Sequence, residues 1–221
     1  MAKPDDDVLV FDTEFGSVTP GEALIAASFA LTNRSKRTVS NVFHVAIQVD
    51  PANFKGELPG EPKEFWARPA QAQVLEYYKK TAVPVYAASY AVMDYLRGLA
   101  DLGLKIRVSS DNAADDYAHV NALIHKVFPK AQPFSYIVNN GKFVKLNDIN
   151  TKTDHLNTLL FAHLPPDERA KADFTKREDF KALKQEALQK IFAQADPNEP
   201  VAEHSALYDL GGMIAKWWYL N

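Results

Sequence analysis

The chain contains no cysteine. Disulfide scaffolds and thiolate chemistry are therefore excluded, and a reducing, cytoplasmic location is expected. No apolar run approaches the length of a membrane span, and the first residues carry no signal-peptide pattern, so no membrane partner is expected. A strong excess of either charge is also missing: the formal net charge is −3. A nucleic-acid partner is thus not advertised by net charge, although local basic patches can still act. Internal repeats and low-complexity linkers are absent as well. What remains is 221 residues, 47% apolar and 24% charged, enough for one domain with a substantial core. Residues 1–7 read as a polar tail, and 8–221 as a single domain.

The chain is organised around Val8-Leu-Val-Phe-Asp-Thr-Glu-Phe15. Val8–Phe11 is short, apolar and β-branched, so it predicts a buried strand. Strand alternation puts Asp12 and Glu14 on one side and Thr13 on the other. Two carboxylates at the end of a core strand are costly unless neutralised, and a divalent cation is the usual remedy. Strands are predicted again over Ala23–Leu31 and Phe43–Val49. Three such runs close together imply an antiparallel meander.

Residues 50–64, with three prolines, read as an exposed loop ending at Phe65-Trp66. That aromatic pair fits a core anchor better than a base-stacking platform, which stays open. Helical spacing covers 70–80, 84–102 and 112–127, with a short strand at 105–109 between the last two. A strand over 133–138, the Asn139-Asn140-Gly141 turn and a return over 143–146 follow. Helices are expected over 154–164, within 165–195 and, after a short entry, over 201–220. The fold class is therefore α/β, a mixed central sheet flanked by helices.

Three short motifs carry chemistry. Asp12-x-Glu14 ends the opening strand. Ser110-Asp111-Asn112-Ala-Ala-Asp115-Asp116 leaves one strand and opens a helix. His204-Ser-Ala206-Leu-Tyr-Asp209 leads into the last helix. Each has a bland reading: chance acids, an N-capping cluster that suits Asp111 and Asp115, or a surface His beside a solvated Asp. Together they have a common logic. Two divalent ions roughly 4 Å apart can hold the attacking and leaving oxygens of a phosphodiester, which needs about four carboxylates from separate elements. Asp12, Glu14, Asp116 and Asp209 supply them. His204, titrating near neutrality, can take the proton from the attacking water.

In this order and spacing the motifs resemble those of the DEDDh 3′–5′ exonucleases, which have a ribonuclease H-like fold. The resemblance spans residues 8 to 216. Phe11-Asp12-Thr13-Glu14 matches the first family motif, Asn112-Ala-Ala-Asp115-Asp116 the second and His204-x-Ala206-x-x-Asp209 the third. The one departure is Asp115, where the family has an aromatic. Asp116 is therefore the second-motif ligand on register, with Asp111 and Asp115 as alternatives. The resemblance implies two Mg²⁺ or Mn²⁺ ions on Asp12, Glu14, Asp116 and Asp209, with His204 as general base. It also implies that Thr13 and Phe15 grip the terminal nucleotide, with Asn112 grouped beside them. Packing of Phe15 into the core is the other reading.

The expected substrate is the 3′ end of single-stranded RNA or DNA, with a homodimer left open. Candidate basic patches are Arg34–Arg37, Lys142–Lys152 and Arg169–Arg177, the middle one preferred. A silent nucleic-acid-binding or scaffold module of the same fold is the alternative to an enzyme.

Overall fold

The computed structural model describes residues 7–55, 61–104, 106–132, 134, 146–169 and 171–220. Strand β1 (Asp7–Phe15) is the middle of a five-stranded sheet. On one side it pairs antiparallel with β2 (Leu24–Asn33), which pairs antiparallel with β3 (Thr38–Ala46). On the other it pairs parallel with β4 (Arg107–Ser110), which pairs parallel with β5 (Leu146–Asp148). The order is β3-β2-β1-β4-β5. The expected meander of the first three strands is present, and Asp7, expected in the tail, opens β1 opposite Asn33.

The alternation along β1 is resolved into two cores. Leu9 and Phe11 face α3 (Val85–Asp101) and α4 (Ala113–His125), packing with Val92, Met93, Leu96, Val120 and Ile124. Val8 and Val10 face α7 (Glu178–Phe192) and α8 (Ala206–Tyr219), packing with Ile191, Leu210, Ile214, Trp217 and Trp218. Both faces of β1 are thus covered, which is why its first residues read as a continuous apolar run. A third cluster, with α1 (Pro62–Trp66) and α2 (Pro69–Thr81), joins Trp66, Val74 and Tyr78 to Ile25, Ala46 and Ala206.

The helices expected over 70–80, 84–102 and 112–127 lie within about a turn of their predicted bounds. Gly103, at φ +65°, ends α3 in the left-handed conformation that suits glycine. Helix α5 (Ile149–Leu160) starts earlier than the expected 154, because the Asp148 carboxylate caps it by accepting from the Thr151 N–H at 3.0 Å. The expected strand at 133–138 and the 139–141 turn lie outside the described residues, except for the buried Phe134. A four-residue helix, α6 (Pro166–Arg169), precedes α7. No helix among the described residues is long and apolar enough to cross a membrane.

Candidate metal centre

The parallel pairing of β1 with β4 brings the carboxyl ends of both strands together at one end of the sheet. The register of β1 with β2 shifts between Glu14 and Phe15, so the ladder breaks beside the acids. Gly16 follows at a close approach, since a Cβ there would lie 2.2 Å from Phe54 Cδ1.

The two faces of β1 then decide which helix each residue meets. Asp12 and Glu14 share a parity with Val8 and Val10, the face covered by α8. Asp209, on the first turn of α8, joins them: Asp12, Glu14 and Asp209 each offer a carboxylate oxygen within 4.8 Å of the others. Thr13 belongs to the α4 face, where Asp116 stands. Its N–H donates to Asp116 Oδ1 at 3.2 Å and its hydroxyl donates to the same oxygen. The Ser110 hydroxyl donates to Asp116 Oδ2. So fixed, Asp116 forms a second group with Asp12 and Asp111, again within 4.8 Å. Asp12 is common to both groups.

The electrostatics follow from that crowding. Asp12 is 7% exposed and Asp116 2%. Burial, then the carboxylates of Glu14, Asp116, Asp209 and Asp111, push the Asp12 pKa well above the usual range. Glu14 is raised well above its usual value by burial and by Asp209, Asp116 and Asp111. Burial raises Asp116 to about 7 against the opposing hydrogen bonds from Ser110 and Thr13. Asp209 also rises to about 7, through burial and Asp111, with Lys184 opposing. Buried Asp12 Oδ2 has no hydrogen-bond partner. A buried carboxylate oxygen without a donor, amid four more acids, is the environment a hard cation relieves. The donor set is all oxygen, which suits Mg²⁺ or Mn²⁺.

His204 sits in the loop before α8 at φ +63°. Its N–H donates to Asp209 Oδ2 at 3.1 Å, and its Nδ1 lies 3.7 Å from that oxygen. The ring packs edge-on against Phe65, centroids 4.6 Å apart. Burial, the largest influence, lowers the His204 pKa, with Arg68 acting in the same direction. Phe15 is half-buried and stacks on His119 at 4.4 Å, while its carbonyl accepts from Trp66 Nε1 at 3.0 Å. Trp66 is thus the core anchor, and Phe65 supports His204.

The remaining candidates are placed as follows. Asp115 is exposed and accepts from Asn112 Nδ2 at 2.9 Å, so the Asn112 side chain turns to it and to none of the clustered acids. Asp111, held as an alternative to Asp116, stands beside it. The Arg34–Arg37 turn follows Asn33, which pairs with Asp7 at the far end of β1 from Asp12. Arg169 donates to the Ala162 and Leu164 carbonyls, and Arg177 pairs with Asp179. Of Lys142–Lys152, residues 142–145 lie outside the described set, and the Lys152 ammonium stands 4.1 Å from the Trp217 ring centroid.

Sequence reasoning gave no role to Ser110, and it missed Lys184 and Lys216, which line a cavity of about 260 Å³ with Asp111 and Asp209. A helical signal existed for one of them. Asp209, Gly212, Met213 and Lys216 recur at the three- and four-residue steps of one helix face. A scan of the sequence against family models finds no match, and a search of curated proteins finds none.

Proposed function

We propose that the protein is a divalent-metal-dependent 3′–5′ exonuclease of the DEDDh type, on a ribonuclease H-like fold. The observation that carries this reading is the sharing of Asp12 between two acidic groups drawn from β1, the β4–α4 segment and α8. Divalent cations bound there supply charge neutralisation and Lewis-acid activation of water and of the leaving oxygen. Asp12 and Asp116 would be held rigidly for them, the first by a strand buried on both faces, the second by Ser110 and Thr13. Glu14 and Asp209 would complete the other side.

His204 is the proton acceptor. Burial lowers its pKa, which favours the neutral ring that can take a proton, and Phe65 and Asp209 fix its position. Phe15, half-buried beside the acids, would meet the terminal base. The substrate is single-stranded, because a terminus must reach carboxylates set at the carboxyl end of the central strand.

The test is digestion of 5′-labelled single-stranded RNA and DNA with Mn²⁺ or Mg²⁺. Stepwise shortening from the 3′ end, abolished by chelator, is expected. Internal cuts would replace the exonuclease reading. Strand binding without turnover would leave a silent module of this fold.

A further inference from the structure

We infer that Lys184 of α7 and Lys216 of α8 form a phosphate-binding subsite contiguous with the acidic centre, which holds the phosphodiester backbone of a single strand next to the bond that is cut. The inference rests on the exonuclease reading for its substrate, but the cavity and its lysines are observed independently. The cavity of about 260 Å³ runs from Asp111 and Asp209 along Gly212 to both lysines.

Charge matching argues for an anion there. The two groups together hold five carboxylates, Asp12, Glu14, Asp111, Asp116 and Asp209. Two divalent cations would leave that centre with a residual negative charge. A polyanion approaching it in a chain of net charge −3 needs positive charge close at hand.

The other basic side chains of α7 are already used: Lys181 pairs with Glu178 at 2.6 Å, and Lys190 with Glu186. Neither Lys184 nor Lys216 has a carboxylate of a described residue within ion-pair distance. Lys184 lies across Gly212, where a Cβ would stand 3.9 Å from its Nζ, and over the Tyr208 ring at 4.1 Å. Lys216 is aimed by Asn150, whose Oδ1 accepts from it at 2.7 Å and whose Nδ2 donates to the Asp111 carbonyl at 2.9 Å. That relay ties one lysine to the backbone of the acidic centre. Both ammoniums keep donors to spare for phosphate oxygens.

The experiment measures binding and turnover of oligo(dT) and oligo(rU) six-mers with the full chain. Binding is read with phosphorothioate-blocked strands and Mn²⁺ over a salt series. The variants are Lys184→Met, Lys216→Met and the pair, which keep the aliphatic stems. Lys184→Arg and Lys216→Arg keep the charge, and Lys181→Met is a control on the same helix. Each Met variant should raise Kd and KM about five- to tenfold and leave kcat within about threefold. Each should also lower the slope of log K against log salt by about 0.7. The Arg variants should recover most of the affinity, and Lys181→Met should match wild type. Unchanged Kd and salt slope in the double variant would overturn the subsite, as would a wild type that binds no strand. Lysine-dependent binding without turnover would instead uphold the subsite and remove the exonuclease reading.

Discussion

Asp12→Asn should make the metal-free protein more stable, and the gain should depend on pH. Carboxylate oxygens of two groups converge on Asp12 within 4.8 Å. At an effective dielectric of about 20, a like-charge pair at that distance repels by ~3 kcal/mol. Partial protonation reduces this. Asp116 and Asp209 hold their protons up to about pH 7 in the fold, whereas unfolded aspartates ionise near 4.

For an acid whose folded pKa is raised, the penalty is absent below the unfolded value. It grows as pH rises between the two and is complete above the folded one. The metal-free wild type should therefore lose stability from pH 4 to above 7. Removing one charge at the shared position should restore ~2–4 kcal/mol at pH 8, or roughly 4–16 °C in Tm for a chain of this size. At pH 4 the gain should vanish.

Adding Mn²⁺ should reverse the order. Binding to the folded state alone stabilises by ~2.7 kcal/mol per site at a hundredfold excess over Kd. The variant should gain far less. Thermal melts with chelator and with Mn²⁺, at pH 4, 6 and 8, read all of this. A chelated variant that melts below wild type at pH 8, or one that gains as much from Mn²⁺, would refute the reasoning.

Asp111→Asn and Asp116→Asn should each cut turnover by at least two orders of magnitude while Asp115→Asn stays near wild type, measured on a 5′-labelled strand. His204→Ala should slow kcat by about 10²-fold or more, the scale of a lost general base. Thr13→Val removes one hydroxyl donor to Asp116 and should weaken Mn²⁺ affinity in a direct titration, with a stability change of about 1 kcal/mol. Gly211→Ala would set a Cβ 2.5 Å from Leu188 Cδ2 where α8 crosses α7, so denaturant melts should show a loss of ~1–3 kcal/mol.

The parts of the fold legible in sequence were those whose signal is local. Val8–Phe11 announced a buried strand because both faces of β1 are covered. The alternation that separated Thr13 from Asp12 and Glu14 also placed each against its helix, Asp116 on α4 for one and Asp209 on α8 for the others. Helix α5 begins before the sequence pattern predicts because its first turn, with Ile149 and Thr153 buried, follows directly on a strand and is opened by Asp148 rather than by a break in pattern. The second motif was ambiguous for a reason that spacing cannot resolve. Asp111 leaves the strand end and Asp116 stands on the helix, so both reach Asp12, whereas Asp115 turns to Asn112 in the exposed first turn. The lysines were missed because they belong to two helices joined only in space. The contiguous run Arg169–Arg177 carries a stronger local signal, although Arg169 there serves the Ala162 and Leu164 carbonyls and Arg177 serves Asp179.

The most direct test of the shared-carboxylate centre is a count of bound Mn²⁺ by electron paramagnetic resonance titration of wild type and Asp12→Asn at pH 7.5. Two ions per wild-type chain, both weakened by at least tenfold in the variant, are expected, because one side chain serves both groups. A wild type that binds none, or a variant that retains both at unchanged affinity, would contradict the account.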